Sequence, residues 1–159
     1  WVRDYGETVV YITAPNITDI YSKTEQNITS NGVLTYPSLH LTLLDDNDGF
    51  SGTGTGDFHL QVSNDYVFVE NNEVGRFFIS GTTLILNINF AEGGGVFHGE
   101  NLYANHIGFY HRGSNDLYIR PILSLEGDIY NVGDVNCYSR LPAENVNVRK
   151  HYRGSLIYR

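Results

Sequence analysis

Gly75-Arg76-Phe77-Phe78-Ile79-Ser80-Gly81-Thr82-Thr83-Leu84-Ile85-Leu86-Asn87-Ile88-Asn89-Phe90 is the stretch on which a reading of this chain turns. Leu84, Leu86, Ile88 and Phe90 alternate with Ile85, Asn87 and Asn89. A period of two places successive side chains on opposite faces of a strand. Residues 75–79 and 82–90 therefore read as two strands. Ser80-Gly81 is the short turn between them, which predicts an antiparallel hairpin.

The same pattern continues on both sides. At 57–69, Phe58, Leu60 and Val62 alternate with Asp57, His59 and Gln61. Strands are also expected at 7–14, at 33–44 with a break at Pro37, and at 102–111, 116–125, 127–132 and 146–158. In the 116–125 strand Leu117, Ile119, Leu123 and Leu125 are expected to share one face. The polar stretch 19–31 reads as a loop. No amphipathic helix stands out, and no internal repeat is evident at a period of about 20 to 50 residues. Short strands with frequent turn signals predict an all-β fold, a single antiparallel β-sandwich of immunoglobulin-like or jelly-roll type, filling residues 1–159 as one domain.

Composition agrees with a β protein. The 159 residues include 12 Tyr and 8 Phe but no Met, and Lys occurs only at Lys23 and Lys150. This favours pleated, half-buried surfaces over helices. The net charge of −8 argues against nucleic-acid binding, which needs clustered Lys and Arg. The charge is uneven: Arg140, Arg149, Lys150, Arg153 and Arg159 lie in the last twenty residues with Glu144 as the only acid. That pattern suits a charge-blunted edge strand or a patch for an acidic receptor. Cys137 is the one cysteine, so no internal disulfide forms, and a buried thiol is expected. No apolar run is long enough for a membrane helix, so no membrane insertion is expected.

Candidate sites come from side-chain chemistry. The loop 45–57, with Asp48 and Asp57, is rich in oxygen ligands, but aligning an EF-hand on Gly49 puts Leu44 at the first ligand position. His98, His106 and His111 lie close in sequence but lack the short spacings of a zinc site. No cofactor is expected, with calcium at the loop or zinc at the histidines as the alternatives. The Gly-x-Ser-x-Gly nucleophile elbow and the phosphate-binding glycine loop are absent, so an enzyme is not expected. Tyr and Asn interleave through the region, a surface suited to hydrogen-bonding sugar hydroxyls and to rigid interface contacts. The expected ligand-binding residues are His98, Glu100, Asn101, Tyr103, Asn105, His106, Tyr110, His111, Asn115 and Asp116, together with Asp48 and Asp57.

The segments Leu141-Pro142-Ala143-Glu144 and Tyr152-Arg153-Gly154-Ser155-Leu156-Ile157-Tyr158 resemble the closing strand of bacterial chaperone–usher pilus domains. Thr8-Val9-Val10-Tyr11-Ile12 is similar to the opening strand of the lectin domain of two-domain pilus tip adhesins. The resemblance implies a secreted, cell-surface fimbrial adhesin of β-sandwich fold. Its partners would be a host glycan or glycoprotein receptor and a neighbouring pilus subunit. Gly95-Val96-Phe97-His98-Gly99-Glu100 is similar to a stretch of the galectin-like spike head of rotaviruses, which keeps a viral or phage receptor-binding head as the alternative. A carbohydrate-processing hydrolase is a second alternative, with acids such as Glu100, Asp116 and Glu126.

Overall fold

The computed structural model describes residues 8–47 and 49–159 and, at Asn47 and Phe50, the backbone alone. In chain order its strands are β1 (Asp19–Tyr21), β2 (Ile28–Leu34), β3 (Ser38–Leu43), β4 (Asp46–Asn47), β5 (Phe50–Ser51), β6 (Phe58–Asn71), β7 (Arg76–Phe90), β8 (Val96–His111), β9 (Leu117–Ile129), β10 (Val135–Cys137), β11 (Val146–Lys150) and β12 (Leu156–Tyr158). A 3-10 turn, Ala143–Asn145, precedes β11. The expectation of an all-β chain holds. The antiparallel sandwich does not: apart from the small β4–β5 pair, every pairing is parallel, in one sheet of order β1-β3-β6-β7-β8-β9-β10-β12, with β2 on β6 and β11 on β9. The chain is a parallel β-solenoid of about 7 turns. The pilus resemblance implied a sandwich, and the fold corrects it: β12, its supposed closing strand, lies parallel to β10.

The decisive segment shows why. Residues 75–90 are not a hairpin but one bent strand, β7, lying between β6 and β8. Gly81 takes φ 112°, and the strand bends across 82–85. Before the bend Phe77 and Ile79 point inward; after it Leu86, Ile88 and Phe90 do. The bend shifts the phase, so Leu84 is 49% exposed although it continues the apolar alternation. Leu123, at the matching bend of β9, is 48% exposed for the same reason. Each bent strand thus covers two faces of the solenoid. The chain returns to its starting edge one coil higher without the helical crossover that parallel strands elsewhere require.

Each coil is stacked on the last. Phe58 lies over Phe77, Phe77 over Phe97, Phe97 over Leu117 and Leu117 over Val135, a step of about 20 residues. A repeat therefore exists where none is evident by inspection. Its signature is short: Gly56-Asp57-Phe58, Gly75-Arg76-Phe77, Gly95-Val96-Phe97, Gly133-Asp134-Val135 and Gly154-Ser155-Leu156, with Asn115-Asp116-Leu117 in the gap. The glycines are needed because successive turns touch. A Cβ on Gly75 would lie 2.8 Å from the Gly56 carbonyl oxygen, and one on Gly154 only 2.1 Å from that of Gly133. Inside, the stacked residues form continuous columns, such as Leu39–Val67–Leu86–Ile107–Leu125, all essentially fully buried. Phe58 and Phe77 stack at 4.9 Å between ring centroids.

Other elements depart from expectation at particular places. Residues 8–14 form no strand and are largely exposed, and Glu7 lies outside the described residues. The supposed loop 19–31 contains β1 and the start of β2. The break at Pro37 is present, between β2 and β3. Residues 130–134 are a turn rather than a strand, and the chain leaves β-structure between β11 and β12.

Substituting Gly154 by Ala is expected to lower stability by about 1–3 kcal/mol, because rigid backbone rather than a side chain occupies the Cβ position. Urea unfolding followed by circular dichroism measures it. An unchanged midpoint would mean that the turns are not packed this closely.

Candidate functional site

The outer face of the first half of each coil carries a column of rings. His59, Phe78, His98 and Tyr118 stack in order, with centroids 4.6, 4.7 and 4.8 Å apart and planes within 6°. Parallel in-register coils force this, because equivalent outward residues sit one above the next. The rings give their faces to each other and present edges outward. They offer a ligand imidazole nitrogens rather than open stacking platforms. Beside the column, Gln61, Ser80 and Asn101 form a second outward column. Together with His59, His98, Glu100 and Ser30 they line an open groove of about 450 Å³.

Glu100 is the most distinctive group there. The register of β7 with β8 shifts between Phe78 and Ser80, and this bulge inserts Glu100 between the outward residues His98 and Asn101. One carboxylate oxygen lies 3.5 Å from His98 Nδ1. The other is buried and has no hydrogen-bond partner among the described residues. The Glu100 carbonyl accepts from Arg120 Nε at 2.7 Å, which fixes the backbone of the bulge. Arg120 lies over the Tyr103 ring at 5.2 Å and over that of Tyr138 at 5.8 Å.

The second face carries a different groove, of about 410 Å³, floored by Gly108, Phe109 and Gly127 and walled by Asn87, Tyr110, Glu126, Asp128, Asn147 and Arg149. Asp128 accepts from Arg149 at 2.6 Å and bonds His151 at 2.7 Å. These two hydrogen bonds hold its carboxyl below the usual range. His151 is exposed and stacks one ring face on Tyr130 at 4.1 Å, and Tyr130 contacts Tyr110 at 5.0 Å.

The expected binding residues are therefore split among several environments. His98, Glu100 and Asn101 share the first groove. Tyr110 belongs to the second. His106 is exposed and bonds Ser124 at 2.8 Å, Tyr103 is half exposed beside Arg120, and Asn105 lies between them at the bend of β8. Asp48 lies outside the described residues.

Asn115, Asp116 and Asp57 serve the turns. Asn115 donates to the Gly94 carbonyl at 2.6 Å. Asp116 accepts from the Asp134 N–H at 2.9 Å, as Asp134 does from the Ser155 N–H at 2.8 Å and Asp57 from the Arg76 N–H at 3.0 Å. Each carboxylate thus ties its turn to the coil above. Asp57 also takes the Arg76 guanidinium at 2.6 Å. Burial raises its carboxyl, but the bonds to Arg76 outweigh burial and hold it below the usual value. Among the described residues no three His, Cys, Asp or Glu side chains are grouped to hold a metal, and His98, His106 and His111 point to three separate regions. Cys137 is free and buried, and burial raises its thiol.

His111 is a core residue. It occupies the inward column Leu43–Asn71–Phe90–His111–Ile129, fully buried. Neither ring nitrogen has a hydrogen-bond partner among the described residues. Burial lowers its pKa from 6.5 to about 4, against the weaker opposing influence of the Asn115 backbone, Asp116 and Asp134. The unfolded chain therefore takes up a proton that the folded one refuses, so stability is full above pH 6.5 and falls as pH drops toward 4. The loss reaches roughly 3 kcal/mol at most. Urea midpoints at pH 7.5 and pH 4.5 should differ less for His111→Leu than for the parent protein; equal differences would sink this account.

Glu126 stood out only as a candidate acid and Arg149 as part of the basic C-terminal stretch; the groove residues missed by sequence reading are Gln61, Ser80, Asn87, Gly108 and Asn147. Their signal is the 20-residue step of the Gly-x-apolar turns, which brings residues distant in sequence into one column. No curated protein and no solved structure matches the chain. Residues 1–140 match the family model described as "Putative auto-transporter adhesin, head GIN domain". Most of the chain is covered, and the protein belongs to this adhesin head-domain family.

Proposed function

We propose that this domain is the receptor-contacting head of a surface adhesin and that it holds a glycan of the recognised surface in the groove around His98, Glu100 and Asn101. Family membership supports an adhesin domain with a surface or extracellular location. The observation that carries the ligand reading is Glu100: a bulge inserts a carboxylate, its side chain 30% exposed, into the lining of a polar groove beside His98. An ionised carboxylate accepts hydrogen bonds from hydroxyls, and the exposed part of this one, beside His98, is open to those of a ligand. Gln61, Ser80 and Asn101 add donors and acceptors on one rigid wall, the arrangement that reads a sugar through its hydroxyls. The net charge of −8 supports a partner other than nucleic acid. A fimbrial-tip location has no such support, because the sandwich that the pilus resemblance implied is absent.

Binding to a glycan array and to receptor-bearing cells tests this reading. Glu100→Gln keeps the size of the side chain but removes its charge. It is expected to weaken binding at least tenfold, about 1.4 kcal/mol or more. Asn101→Ala is expected to weaken it by a smaller factor. A blank array together with absent cell binding, or full binding by Glu100→Gln, would overturn the assignment.

A further inference from the structure

The outward column of the second face runs His40, Phe68, Asn87, Gly108, Glu126, Asn147. Of these six residues only Gly108 lacks a side chain, and the second groove opens at that gap. The fold does not require glycine there. The turn glycines and Gly127 face backbone: a Cβ on Gly127 would lie 2.4 Å from the Phe109 carbonyl oxygen. At Gly108 a Cβ would meet only the Asn87 side chain, its Oδ1 at 2.6 Å, and the backbone has no left-handed φ. Gly108 therefore serves to keep space open, and Asn87 is the one group leaning into it. The Asn87 amide is itself fixed, its Nδ2 donating to Tyr66 Oη at 3.1 Å, so Oδ1 is left facing the notch.

Around this notch stand Glu126, Asn147 and the Asp128–Arg149 pair, with Tyr110 as the aromatic wall. The charges of Asp128 and Arg149 offset each other, so the unbalanced charge is the single Glu126 carboxylate. That disfavours sialic acids and sulfated sugars. Carboxylate and amide oxygens accept from hydroxyls, amide and guanidinium N–H groups donate to them, and the volume suits one or two sugar rings. We propose that the notch over Gly108 is a second ligand site, for an uncharged saccharide unit bearing adjacent hydroxyls. It shares no residue with the groove at Glu100 and makes the head bivalent, which raises attachment strength without a tighter single site.

Saturation-transfer NMR of the whole domain with millimolar glucose, galactose, mannose and N-acetylglucosamine tests this directly. At least one of these sugars is expected to give a signal in the parent protein and in Glu100→Gln. Gly108→Val, which fills the notch, is expected in the Glu100→Gln background, where the first groove no longer contributes, to lose the remaining signal at least tenfold. Should Gly108→Val misfold, Glu126→Gln and Asn87→Ala are read instead in that background, each with an expected fivefold loss or more. No signal from any sugar in the parent protein, or a signal that in that background survives filling the notch or both replacement variants, would overturn the proposal. A signal lost in Glu100→Gln and kept in Gly108→Val would also overturn it while leaving the reading of the Glu100 groove in place.

Discussion

Close approach of one turn's backbone to the next is the constraint on which the rest of this structure depends. Where Gly75, Gly133 and Gly154 sit, the carbonyl of the preceding turn occupies the place of a side chain. Only then do the strands reach hydrogen-bonding distance over their whole length and stay in parallel register. The carboxylates of Asp57, Asp116 and Asp134 reinforce the contact by accepting the N–H groups of the turn above. The turn is thus held by hydrogen bonds that run along the solenoid axis, in the same direction as the ladders of the strands.

Register then dictates both interior and surface. Inward columns gather Leu, Val, Ile and Phe into one continuous core, since every coil offers the same two or three inward positions per face. Outward columns bring like residues together, most completely in the His59–Phe78–His98–Tyr118 stack. Such a stack stiffens the face but uses up the ring faces. Recognition is left to the polar groups beside it and to the places where a column is interrupted. The interruptions are of two kinds: the bulge that inserts Glu100 and the missing side chain at Gly108. Both candidate sites arise as local departures from a regular repeat.

Much of the candidate site was legible as chemistry but not as geometry. His98, Glu100 and Asn101 could be picked out because they are polar and cluster within one strand, and that strand does carry them to one groove. Asp57, Asp116 and His111 drew attention by residue type alone, and they proved to be turn ties and a core residue. Residue type does not reveal which way a side chain points when a bend changes phase within the strand. The 14-residue span from His98 to His111 crosses such a bend, so its residues divide between two faces and the interior. Gln61 and Asn147 lie too far along the chain to be grouped with that span without the register.

The sequence by itself determined that the chain would be built of strands, where most of them would lie, and which residues of 58–62 would point inward. Those properties follow from β-branched and aromatic composition and from local alternation, which every strand shares whatever its partners. Only the tertiary structure decided that the partners are parallel and one coil away. Alternation is the same in a hairpin and in a coil, and Ser80-Gly81 can reverse a chain as readily as bend it. The choice rested on contacts between turns about 20 residues apart, glycine against carbonyl, which no single segment contains.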